Sequence, residues 1–211
     1  METAVNEDDP KTIQQITAAK PELANALGQN NLPLLMNAIY QRKTAVVETL
    51  QTAGAEPDVF AAAALGDLDR LQTLAERWSG YLNSYARDGF TPLQLTCYFN
   101  QEAAALWLIE QGADVNAVAK NMMKIAPIHA TATHGNLVIL RALLEKGAAV
   151  NAEQEGGYTA VHQAAHRNNV PMAQLLLTFG ADPHQPDVKG QSALQLAKVE
   201  GNDEVAAVLG G

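Results

Sequence analysis

One cysteine, Cys97, in 211 residues leaves no disulfide framework and suits a reducing compartment. Basic residues are scarce too: 14 Lys and Arg against 23 Asp and Glu give a net charge of −9 at pH 7. Sequence-independent nucleic-acid binding needs a basic footprint, so nucleic acid is not an expected partner. No run approaches the roughly 18 apolar residues that a membrane helix needs. The N-terminal METAVNEDDP is acidic and lacks an apolar h-region, so no secretory signal is expected there. These absences together predict a soluble, cytoplasmic protein. G-x-S-x-G, P-loop and dinucleotide fingerprints are missing as well, so no enzyme, catalytic residue or cofactor is expected. Aromatic residues are only 5% of the chain, although 47% is hydrophobic and much of that is Ala and Leu. Such a composition suits thin, closely packed helices rather than a thick globular core.

What the chain does contain is clearest from Phe90 to Ala117, FTPLQLTCYFNQEAAALWLIEQGADVNA. Thr91 reads as an N-cap and Pro92 as the first helical residue, where its missing N–H costs nothing. Leu93, Leu95, Thr96 and Cys97 form the inner face of a short helix that Asn100 ends. A second helix carries Ala103, Ala104, Leu106, Trp107 and Leu108 at helical spacing. Gly112 stops it as a left-handed cap, and ADVNA begins an extended turn. Such a unit cannot bury both faces alone and needs copies beside it.

The copies follow. Thr91 aligns with Ala126, Thr159 and Ser192, at steps of 35, 33 and 33 residues. The first helices read TPLQLTC, APIHATA, TAVHQAA and SALQLAK; the hairpins read GADVNA, GAAVNA and GADPHQ. Thr91 to Gly112, Ala126 to Gly147 and Thr159 to Gly180 are each 21 residues. A 33-residue period with T-P-L-H-x-A at the first helix resembles the ankyrin repeat. The resemblance runs from about Leu32 to the C-terminus. It implies an all-α ankyrin-repeat solenoid of stacked helix-turn-helix units with short hairpin fingers. Residues 1–31 then form an N-terminal tail and capping helix, and residues 32–211 about six helix pairs in one elongated domain.

Along the chain, Met1 to Asp8 reads as disordered. Asp9-Pro10 starts a lone second helix with Ile13 and Ile16 on its apolar edge, and Gly28 marks a hairpin-like turn. The pair Pro33–Gln41 and Lys43–Ala53 departs from the pattern. Leu35 replaces the usual His, Gln41 replaces the usual Gly, and Gly54 falls one residue late. Between Gly54 and Phe60 there is no room for a full finger, so that finger is predicted to be truncated. Trp78 closes its second helix where Gly is expected. Gly66, Asn100, Gly135, Asn168 and Gly201 fill one turn position, and Gly and Asn both tolerate a left-handed backbone. Leu106, Leu108, Leu143, Leu144, Leu175, Leu176 and Leu177 are expected to lie mostly inside the array.

Most chemistry-bearing side chains have a bland explanation. His129 and His162 fall at the His of T-P-L-H, which the resemblance makes a structural residue bonding the neighbouring hairpin. His162 with His166 has the i, i+4 spacing of a metal pair, but closed sites need three or four ligands, so no metal site is expected. Cys97 takes an inward position and reads as inert packing. Asn83, Asn116 and Asn151 read as turn-bonding residues. At their position some animal ankyrin proteins are hydroxylated.

The resemblance implies partner binding along the hairpin tips and the first helices. Carried onto this chain, the partner-binding candidates are Tyr40, Arg87, Phe90, Tyr98, Phe99, Met122, Met123, Ile125, His134, Tyr158, His166 and Arg167. Solvated tips normally carry polar residues, so aromatic and Met side chains there mark an interaction surface. The finger from Ala119 to Ile125 is two residues longer than standard and holds Met122 and Met123 at its tip. The expectation is a monomeric, non-catalytic scaffold that binds an unidentified partner protein through its concave face. The alternative is a structural subunit or homo-oligomer that uses the apolar C-terminal repeat.

Overall fold

The computed structural model describes residues 1–78 and 80–211. Among them run fourteen α-helices. They are α1 (Glu2–Asn6), α2 (Pro10–Ala19), α3 (Leu34–Tyr40), α4 (Thr44–Thr52), α5 (Val59–Leu65), α6 (Leu68–Arg77) and α7 (Pro92–Tyr98). The second half holds α8 (Glu102–Glu110), α9 (Pro127–His134), α10 (Leu137–Glu145), α11 (Ala160–His166), α12 (Val170–Thr178), α13 (Ala193–Glu200) and α14 (Asp203–Leu209). No described helix is long and apolar enough to cross a membrane. The odd-numbered helices stack on one another in one row. The even-numbered ones form a second row, in which α4 and α6 meet only weakly. This is the all-α solenoid that the repeat implied.

The helices are short, and local chemistry sets their ends. At α7 the Gln94 N–H donates to Thr91 Oγ1 at 3.3 Å, while Thr91 N–H donates to Gln94 Oε1 at 2.8 Å. This reciprocal pair satisfies two N–H groups that the first turn would otherwise strand. Ser192 and Gln195 repeat it at α13. The helices end as expected at left-handed turns, with φ of 72° at Gly66, 58° at Asn100, 69° at Gly135, 49° at Asn168 and 71° at Gly201.

In mid-array a helix turns apolar stripes towards both of its neighbours. On α10, Ile139 and Leu143 join the core that runs back towards the N-terminus, and Leu140 and Leu144 join the core that runs forward. Spacing of i, i+4 keeps each pair on one side. Leu108, Leu143, Leu144, Leu175 and Leu176 are buried, and Leu106 and Leu177 are half-buried. On α8 the inward stripe is Ala104, Ala105, Leu108 and Ile109, while Ala103 faces out. α14 turns Val205, Ala206 and Leu209 inward, so much of the apolar C-terminal segment is used up within the array.

Three expectations for the N-terminal half change. Met1 to Asp8 is not a free tail: α1 forms there, Val5 is fully buried, and α1 packs on α3. α2 is therefore no lone helix but the partner of α1. In the first repeat the N-cap is Pro33, so Gly54 lies 21 residues on, in phase with the other repeats. The left-handed turn position then falls on Arg42, φ 56°, and not on Gln41. The finger between Gly54 and Val59 is truncated, as its length required, and Trp78 caps α6.

The four full fingers are laced together through their backbones. Lys120 N–H donates to Gly89 O at 2.8 Å, Glu155 N–H to Met123 O at 3.2 Å, and Val188 N–H to Gly156 O at 3.0 Å.

Candidate functional site

The fold takes up several polar side chains for its own use. Ala126 N–H donates to His129 Nδ1 at 2.9 Å, which leaves the proton on Nε2 to donate to Ala152 O in the next hairpin at 2.8 Å. His162 does the same between Thr159 N–H and Gln191 O, at 3.2 Å each. Gln94 fills this post with an amide, donating to Ala117 O and Ile125 O. Burial pushes both imidazole pKa values below the ordinary value, against the smaller opposing pull of those carbonyls. His166 instead faces Glu200, at 2.9 Å. Among the described residues no group of three His, Cys, Asp or Glu side chains could hold a metal ion.

The asparagines hold repeat to repeat. Asn116 accepts from Ala149 N–H at 2.8 Å and donates to Gly147 O at 3.0 Å; Asn151 does likewise with Asp182 and Gly180. Asn83 accepts from Asp114 N–H. These side chains bond the following repeat rather than their own turn, which corrects the local reading. Asn25, not singled out from sequence, makes the same pair of bonds with Glu56 and Gly54. Cys97 is fully buried, and burial pushes its thiol up to about 12, slightly offset by the hydroxyls of Thr131 and Thr96. A thiol so held is no nucleophile at neutral pH.

One group of side chains that the fold leaves free lies on α7 and the finger that follows α8. Tyr98, Met122 and Met123 are exposed, Met122 to 87%. Tyr98 packs edge-on to Phe99, ring centroids 5.1 Å apart, and Phe99 lies 5.6 Å from Tyr40. The Tyr40 hydroxyl donates to Asp88 Oδ2 at 2.7 Å. Burial is the main cause that drives its pKa far up, so it stays a phenol. Together Tyr40, Phe90, Leu95, Tyr98 and Met123 enclose a cavity of about 230 Å³. Its origin can be traced along the chain. Tyr40, Ala64 and Tyr98 each stand two residues before a left-handed turn. One small side chain between two large ones, beside a truncated finger, leaves the space.

Two of the expected tip residues are corrected. Phe90 and Ile125 are buried, at 8% and 9% exposure. Each immediately precedes an N-cap, the position from which an apolar side chain folds back over its own helix. Phe90 does so towards Leu95, four positions into α7, and both line the cavity. The signal was available, because the residue before a Thr or Ala cap is a staple before it is a tip. Tyr158 has the same place and is half-buried, its ring 4.9 Å from His162 and its hydroxyl donating to His162 O at 3.2 Å.

The structure thus brings Tyr40, Phe90, Tyr98, Phe99 and Met123 together, and His134 joins them by donating from Nε2 to Tyr98 O at 2.7 Å. Arg87 is exposed in the finger that carries Asp88. Tyr158, His166 and Arg167 belong to α11 and its finger, two repeats on from α7, and none of them lines the cavity.

Comparison with known proteins agrees with this architecture. The ankyrin-repeat model matches residues 88–120 and 125–154, and a model of ankyrin repeats in many copies matches residues 143–197, together about half the chain. An ankyrin repeat and LEM domain-containing protein 1 homolog of Caenorhabditis elegans is 55% identical over 58 residues, 28% of this chain and 8% of the relative. SH3 and multiple ankyrin repeat domains protein 2 of Homo sapiens is 25% identical over 210 residues, 94% of this chain and 11% of that one. The B-cell lymphoma 3 protein homolog of Mus musculus is 32% identical over 111 residues, 53% of this chain and 25% of the relative. The chain therefore spans a quarter or less of the length of these curated relatives. Ankyrin repeats in general mediate protein–protein interaction and are not catalytic. By its repeats, its fold and these matches, the chain belongs to the ankyrin-repeat family.

Proposed function

We propose that this chain is a monomeric, non-catalytic cytoplasmic module that binds a partner protein through its concave face, with the exposed groups around α7 at the centre. One observation carries this reading. Tyr98, Met122 and Met123 stay exposed beside an open apolar cavity, and among the exposed large apolar side chains of the described residues only Tyr98 and Met123 also line one whose other walls are aromatic and aliphatic. Aromatic and Met side chains around a pocket contribute large contact area at modest entropic cost. His134 and the exposed Arg87 flank this centre, and Tyr158, His166 and Arg167 would extend the surface two repeats on. The test is affinity enrichment from the source cell, followed by direct titration of whatever protein is recovered. Tyr98→Ala should weaken that titration by roughly 2 kcal/mol or more if Tyr98 is a hot spot, with the melting temperature little changed. The reading is overturned if binding survives the joint change of Tyr98, Met122 and Met123 to Ser.

A further inference from the structure

Next to the Tyr98 cavity lies a second hollow of about 440 Å³. The two are neighbours by construction: Tyr40 and Tyr98 line the first, while Ile39 and Phe99, their chain neighbours, line the second. Arg42, Lys43 and His134 line it, and no carboxylate does. In a chain with 23 acidic and 14 basic residues, this is the reverse of what composition supplies. The Lys43 ammonium is held at the C-terminal end of α1, donating to Val5 O at 2.9 Å and also to Asn6 O. Arg42 makes no ion pair among the described residues.

Arg42 is also in the wrong place for an arginine. Its φ of 56° is left-handed, and five other repeats put Gly or Asn at that turn. A Cβ at that φ is sterically disfavoured, so the position carries a cost that Gly or Asn would reduce. A strained residue facing an open hollow points to a use for its side chain.

We propose that the two hollows form one socket for an extended segment of a partner protein. The first receives a single large apolar side chain, and the second receives the carboxylate of an Asp or Glu a few positions away. This deepens the binding reading above and rests on it. Size favours a side chain in the first hollow: an apolar cavity of about 150 Å³ holds benzene, while small-molecule sites occupy about 300–1,000 Å³. In the second, the Arg42 guanidinium, which makes no ion pair among the described residues, matches a carboxylate in charge and donor geometry, and the Lys43 charge adds to the field.

The test uses the full chain and a random-sequence peptide library displayed on phage. Selection should enrich peptides that pair Leu, Met, Phe or Trp with a nearby Asp or Glu. An enriched peptide, made synthetically and titrated by fluorescence polarisation, should bind Arg42→Gly about tenfold more weakly, the equivalent of one charge-assisted hydrogen bond. The same substitution should leave the melting temperature equal or higher, because Gly relieves the turn. A merely structural Arg42 would leave affinity unchanged. If Tyr98→Ala weakens the peptide but Arg42→Gly does not, or if the enriched peptides lack acids, the two-part socket is wrong and the binding face stands. If neither variant weakens it, or if no peptide is enriched, both readings fall.

Discussion

At the scale of single residues, one hydrogen-bonding post is filled by two chemistries. Gln94 and Gln195 hold it with amides, His129 and His162 with imidazoles. Only the imidazoles titrate, and their folded-state pKa values lie below the ordinary value of 6.5. Just below 6.5 the unfolded chain therefore takes up protons that the folded chain refuses. The contribution of these residues to stability is fully present above the unfolded pKa and is lost as pH falls through the folded values. Melts taken from about pH 7.5 to about pH 5 should show a falling midpoint. His129→Gln with His162→Gln should flatten that slope, since Gln already serves at the same post. An unchanged slope would contradict the assignment. The turn residues give a second check. Asn100→Gly should be close to neutral, trading the bond from Asn136 for relief at φ 58°, whereas Asn100→Val should cost about 1–2 kcal/mol. His129, His162 and the turn glycines were legible in the sequence because four repeats in phase name their positions. Arg42 was not, because its repeat lacks the T-P-L-H marker and was read one residue out of phase.

At the scale of the element, the second helices carry most of the packing. Leu143 on α10 is fully buried, so Leu143→Ala should cost about 2–5 kcal/mol, read by chemical denaturation. A midpoint left in place would mean that the stripe is misassigned. The finger residues separate into walls and tips by the same measurement. Phe90→Ala removes a buried staple and should cost at least about 2 kcal/mol. Met122→Ser, at an exposed tip, should fall within about 0.5 kcal/mol. The repeat helices, most of their caps and the truncated finger could be read from spacing, since each depends on residues close in sequence, but α1, which lies outside the repeat period, could not. The cavity could not. It needs Tyr40 to reach Asp88, 48 residues away, across an α5 whose Ala61 to Ala64 are all buried. No local pattern announces such a meeting.

At the scale of the whole molecule, stability in a stacked array is the sum of units and the interfaces between them. The weakest interface in the second row is between α4 and α6. No asparagine bonds across from the truncated finger to the repeat that follows, whereas Asn83, Asn116 and Asn151 each bridge a later junction. Hydrogen exchange should therefore show α1 to α4 opening as one unit, faster than α7 to α12. Uniform protection along the chain would rule this seam out. The fingers behave differently, because a hydrogen bond from each to the next joins them into a single ribbon. Loop tips elsewhere give up their freedom only when a ligand grips them, and each immobilised side chain then subtracts about 0.5–1.5 kcal/mol from affinity. Here the backbone has surrendered that freedom at folding, before any partner arrives. Calorimetry of a complex on this surface should accordingly record little entropy lost to loop ordering, and association should be governed by encounter rather than by rearrangement.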